Sequence, residues 1–115
     1  MAGTLTITGL AAGLASGEKT IGPLTMVGTA SVGEIRDLAL TAGDNTIPVP
    51  AGAAAVAIVP ADTNTVVVKL RTNLNSTDAG LPVSTVGFLA IPLAAGTTSL
   101  ILNAASQANV EVTFI

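Results

Sequence analysis

The residue pattern predicts an all-β chain, a single antiparallel β-sandwich over residues 1–115 with about eight or nine short strands of jelly-roll or Greek-key type. Three observations carry this expectation. Apolar residues recur with a period of two rather than 3.6, the alternation of a strand with one buried face. Thr, Val and Ile dominate the alternating segments, which suits a pleated, half-buried surface. Turn residues punctuate the chain at the spacing expected of a sandwich. A length of 115 residues fits one domain, since domains typically run to ~100–150 residues.

Along the chain, Leu5 and Ile7 alternate with Thr4, Thr6 and Thr8. The expected strands lie near 3–10, 20–29, 34–41, 45–49, 53–59, 65–72, 85–92, 98–103 and 109–115. Between them stand Gly-Leu-Ala-Ala-Gly at 9–13, Ser16-Gly17, Gly43-Asp44-Asn45, Pro50-Ala51-Gly52, Pro60-Ala61-Asp62 and Ala95-Gly96. Gly supplies positive φ, Pro presets φ, and Asn or Asp bonds its own backbone, so each reads as a turn. In 65–72, Val66, Val68 and Leu70 share one face, opposite Val67, Lys69 and Arg71. The C-terminal run sets Val110, Val112 and Phe114 against Glu111 and Thr113. Proline cannot donate to a ladder, which assigns Pro48, Pro50, Pro60 and Pro92 to strand ends, bulges or edges, and Pro23 to a bulge or a short edge piece. The segment nearest to an amphipathic helix, Val32 to Leu40, is short and flanked by Gly33 and Gly43.

Only 10% of the residues are charged, against an average near ~25%. Half are hydrophobic, with a mean hydropathy of +0.74. A surface with so few charges is built from Thr, Ser, Asn, Gly and Ala with apolar patches between them, and large exposed apolar patches mark contact surfaces. The bland alternative is a neutral, Thr/Ala-rich soluble monomer. The strongly apolar stretch Ala51 to Val59 is far shorter than the ~18–20 residues of a spanning helix, so no membrane partner is expected. The start, Met-Ala-Gly-Thr-Leu-Thr-Ile, lacks a basic n-region and reads as the mature end of an intracellularly made protein. Net charge −3 with only Lys19, Arg36, Lys69 and Arg71 as bases offers no basic stripe for nucleic acid.

The chemical inventory points away from an enzyme. His, Cys, Tyr and Trp are absent, which removes the usual general base near neutral pH, the thiol nucleophile and every His/Cys metal site. Glu34 and Asp37 fall on opposite faces of a strand, whereas Arg36 shares a face with Glu34, so a cross-strand ion pair or a solvated edge is expected there. Asp44 with Asn45, and Asp62 with Asn64, could offer oxygens to calcium, but neither matches a calcium loop and both form turns, so neither a metal nor a cofactor is expected. Phe88 and Phe114 alternate with the apolar faces of their strands and are expected in the core, which weakens a sugar-binding reading. The longest loop, 73–84, is polar. Loops carry function more often than strands do, so Asn73, Asn75, Ser76, Thr77, Asp78 and Gly80 form the candidate interaction loop. The alternative is a plain connection held by a tight turn at Asp78-Ala79-Gly80.

From Ile47 onward the order of elements looks familiar. Ile47-Pro48-Val49-Pro50-Ala51-Gly52 leads to the strand ending Ile58-Val59-Pro60, then Asn64 to Arg71, Asp78 to Ser84, Leu100 to Ala105 and Val110 to Ile115. This strand-and-turn grammar resembles small tailed-bacteriophage virion proteins. The resemblance implies a structural virion component made in the host cytoplasm, either a head decoration protein or a tail accessory subunit. Its partners would be the major capsid protein or other virion proteins, together with further copies of itself. It carries over no site residues. A module binding glycans or a host surface is the alternative from a different class.

Overall fold

The C-terminal strand shows why the chain folds as it does. In β10 (Ala108–Phe114), Val110, Val112 and Phe114 turn inward and are buried, while Asn109 and Glu111 face out and Thr113 is half-buried. A pleated strand sends alternate side chains to opposite faces, so such a segment buries its apolar set only by lying on a second layer. The computed structural model describes residues 4–27, 34–71, 80–85 and 87–115. Those residues form ten antiparallel strands and no helix.

The remaining strands are β1 (Thr4–Leu14), β2 (Gly17–Val27), β3 (Glu34–Leu40), β4 (Gly43–Pro48), β5 (Ala55–Pro60), β6 (Val68–Arg71), β7 (Leu81–Val83), β8 (Leu89–Pro92) and β9 (Ser99–Ala104). One four-stranded sheet has the order β3-β10-β5-β8 and the other β4-β9-β6-β7. Both line one core: Leu40, Val56, Ile58, Val110, Val112 and Phe114 come from the first, Ile47, Val68 and Leu102 from the second. Across these sheets β3 pairs with β10, β4 with β9, β5 with β8 and β6 with β7. The eight strands therefore pair as one long hairpin doubled over and split between two sheets, which is the connectivity of a jelly roll.

Prolines stand where a missing N–H does least harm. Pro48, Pro60 and Pro92 each end a strand, and Pro82 lies in β7 at a sheet edge. Arg36 closes one mouth of the sandwich. It donates two bonds to the Glu34 carboxylate, from Nε at 2.7 Å and Nη2 at 2.9 Å. Its Nη1 donates to the Pro48 carbonyl of the opposite sheet at 2.7 Å, and the guanidinium lies 5.1 Å from the Phe114 ring centroid. The ion pair joins Glu34 and Arg36 within β3, rather than crossing between strands as expected, because residues two apart in a strand lie on one side.

Three expectations need correction. Gly9 to Gly13 is not a turn. β1 continues through it, with Leu10 opposite Thr20 and Ala11 opposite Lys19, and the chain reverses only at Ala15-Ser16. The register shifts between Ala11 and Leu14, where Gly13 at φ +73° takes up the extra residue. Gly43-Asp44-Asn45 opens β4 rather than forming a turn; Asn45 still ties the reversal, its Oδ1 accepting from the Thr41 N–H at 3.1 Å. The strand β7 was hidden at the end of the expected loop 73–84, because three residues containing Pro82 show little alternation. The bulge expected at Pro23 is present: between the pairs Ile7–Leu24 and Gly9–Ile21, β2 has one residue more than β1, and the Gly22–Pro23 bond there is cis.

The strands β1 and β2 form a separate two-stranded ribbon. Its described attachment to the sandwich is Ile7, which packs with Ala90 against buried Ala55 and Ile115 on the outer face of the β3-β10-β5-β8 sheet.

Candidate functional site

Of the candidate interaction loop, Asn73, Asn75, Ser76, Thr77 and Asp78 lie outside the described residues, and Gly80 lies within them. Gly80 sits at φ +78° so close to β6 that a Cβ on it would meet the Leu70 carbonyl oxygen at 2.9 Å and Arg71 Cγ at 2.7 Å. It leads into β7, and its job there is backbone contact with β6.

The strand β6 ends at Arg71, whose side chain belongs to a polar cluster on the outer face of the β4-β9-β6-β7 sheet. Asp44, Asn103 and Lys69 occupy one row across β4, β9 and β6. Asp44 Oδ1 accepts from Arg71 Nη1 at 2.7 Å and from Asn103 Nδ2 at 2.7 Å. The Arg71 side chain is only 8% exposed although it points away from the core. Asp44, proposed from sequence as a turn former, thus ties three strands together through a charge-assisted bond. The other Asx site behaves similarly: Asn64 exchanges two bonds with the Asn109 backbone, at 2.8 and 2.9 Å, and extends the ladder beyond β5. Both arrangements spend their oxygens on internal ties.

Apolar exposure is the more informative feature. On the ribbon, Leu10 is 63%, Ile21 53% and Val27 58% exposed. On the sandwich, Ile35 is 69% exposed, and Val59, Val67 and Leu81 also face out. Phe88 is 57% exposed, contrary to its expected place in the core. It lies just before β8 rather than on it, so alternation within a strand says nothing about its direction. Phe114 is fully buried, as expected.

Ile35 and Val59 share the outer face of the β3-β10-β5-β8 sheet. At one end of that face Ile7 of the ribbon covers Ala55. At the other end lies an open groove of about 490 Å³, lined by Asp37, Ala39, Val59, Pro60, Asn109 and Glu111 among others. Glu111 stands directly opposite Asp37 on one side and Val59 on the other, so the groove is an apolar floor crossed by two neighbouring carboxylates. A second depression of about 480 Å³, between 49–54 and 93–98, is lined by Ala, Gly, Thr and aliphatic residues and holds no charge. No segment was singled out by sequence as a groove, because its walls come from β3, β5 and β10, strands far apart in the chain.

No protein-family model, curated protein or solved structure matches this chain.

Proposed function

We propose that this chain is a non-enzymatic structural protein of a phage virion, which docks on the capsid as a decoration or stabilising subunit and self-associates. The observation that carries this reading is apolar exposure on a weakly charged body. Leu10, Ile21, Ile35, Val59 and Leu81 stand in solvent on a chain in which only 10% of residues are charged. Surfaces of this kind gain free energy by meeting another protein. The sandwich supplies a plate, and Ala39, Ala57 and Val59 on the outer face of its β3-β10-β5-β8 sheet bury at little cost in side-chain entropy. Weak identical contacts repeated around a shell add by multivalency. The strand-and-turn order from Ile47 onward is what resembles small tailed-phage proteins.

The test is cosedimentation of the purified chain with capsid shells of the phage that encodes it. Saturable binding that persists at high salt is expected, because so few charges contribute to the contact. Protein that stays in the supernatant at every concentration would overturn the reading. A place on the tail, as an accessory subunit, is separated from one on the head by gold labelling of intact virions. The exposed Phe88 favours a second reading, a module for glycans or a host surface, since sugar faces stack on exposed aromatic rings. An array of glycans with no binder removes it.

A further inference from the structure

The ribbon and the groove are complementary in charge, and the residues that carry this, Lys19 on one and Asp37 and Glu111 on the other, are exposed. A two-stranded ribbon is marginal in water by itself. Among its described side chains this one packs on its own sandwich through Ile7, and Leu10, Lys19 and Ile21 are exposed. Register assigns the faces. Gly9 pairs with Ile21 and Ala11 with Lys19, and positions 7, 9 and 11 of β1 share a face. Ile21 and Lys19 therefore continue the face by which Ile7 is attached, opposite small residues that leave a flat shelf. Leu10, paired with Thr20, is on the other face.

The groove presents the matching surface. Val59 and Ala39 give the groove an apolar lining on the outer face, and Asp37 and Glu111 lie side by side in the ladder between their strands. Like charges directly opposite one another in a sheet repel, and a cation between them removes the cost. The chain has four basic residues. Arg36 is held by Glu34 and Arg71 by Asp44, and Lys69 lies in the row of Asn103 on the other sheet. Lys19 is the exposed one of the four, whereas Lys69 is half-buried. Within one copy Ile7 occupies the Ala55–Ile115 end of the sheet face, whereas the groove lies at the Pro60–Asn109 end, and Lys19 and Ile21 are exposed.

We infer that copies of this chain associate head to tail, the β1–β2 ribbon of one seated in the groove of the next, with Ile21 on Val59 and Lys19 between Asp37 and Glu111. The inference rests on the self-association proposed above and names its interface. A ribbon of 11-residue strands is ~36 Å long and ~10 Å wide, so one such contact is small against the ~1,600 Å² of a standard interface. Giving and receiving a ribbon doubles the contact for each copy, and closure into a ring makes this stable.

The absence of cysteine makes a direct test possible. Lys19→Cys and Glu111→Cys proteins, mixed and mildly oxidised, are expected to form a mixed disulfide dimer, and the doubly substituted chain a ladder of multimers. Wild-type oligomers without a mixed disulfide would overturn this interface and leave self-association standing. An intramolecular disulfide in the double variant would overturn it too, by placing the ribbon on its own groove. A wild-type chain that sediments as a monomer at high micromolar concentration removes both the interface and the self-association. Charge reversal adds a second measurement. Lys19→Glu and Glu111→Lys should each weaken association by about 10-fold, and the two together should restore most of it. Failure of the pair to restore it counts against the contact. Ile21→Ser should weaken association and Leu10→Ser should not; equal effects would overturn the assignment of faces.

Discussion

Val112 and Ile21 are both aliphatic residues in antiparallel strands, and their surroundings could hardly differ more. Val112 has Arg36 on one neighbouring strand and Ile58 on the other, lies over a second sheet, and is fully buried. Ile21 has one partner strand, faces Gly9 across it, and is 53% exposed. The sandwich completes its own core, and the ribbon needs something outside itself. The difference teaches that alternation specifies a face to be covered without specifying what covers it. In the sandwich the cover is intramolecular. Among the ribbon's described side chains it is so at Ile7.

Substitutions test how sharp that contrast is. Phe114→Ala should have the largest effect, about 3–5 kcal/mol of lost stability, because it empties the centre of a core that cannot collapse and also removes the ring under Arg36. Chemical denaturation measures it; a loss below ~1 kcal/mol would mean the sandwich is packed no better than the ribbon. Asp44→Ala comes next, at about 2–3 kcal/mol in the same assay, since it leaves the buried Arg71 without the carboxylate that Asn103 also uses. Ile21→Ser in dilute solution should change the unfolding free energy by no more than about 0.5 kcal/mol, the range of an exposed site. Hydrogen exchange should agree, with ribbon amides losing protection well before those of β10 and β5. A ribbon protected as strongly as the sandwich in dilute solution would erase the contrast.

The smallest expected effect lies at the mouth of the sandwich. The bidentate bond from Arg36 lowers the pKa of the Glu34 carboxyl, chiefly through that hydrogen bond, with the guanidinium charge adding to it. A carboxyl whose folded pKa is depressed stabilises the fold above its unfolded pKa, ~4.3 for glutamate, and loses that contribution as pH falls through the folded value. The difference in melting temperature between wild type and Glu34→Gln should therefore be small at neutral pH and shrink as pH falls below the ordinary glutamate value. The position is exposed, so salt should reduce the difference as well.

Much of this was legible in the sequence, and what was legible was local. Val110, Val112 and Phe114 alternate with Glu111 and Thr113, which marks both the strand and its inner face. Pro48, Pro60 and Pro92 mark strand ends because a missing N–H is a property of the residue. Glu34 and Arg36 fall two apart in a strand, which is enough to put them on one side. The direction of Phe88 is not legible from alternation, because β8 begins one residue later. The candidate loop was chosen for its polarity, and within the described residues only the contact of Gly80 with β6 bears on it.

Sequence alone determined the all-β class, the inward residues of the longer strands and the scarcity of charge, because each depends on neighbours one or two positions away. Tertiary structure decided which strands pair, that β1 and β2 stand apart as a ribbon, and that Asp37, Val59 and Glu111 meet in one groove. Those outcomes depend on which distant segment covers each face, and a period of two is the same whatever lies across it.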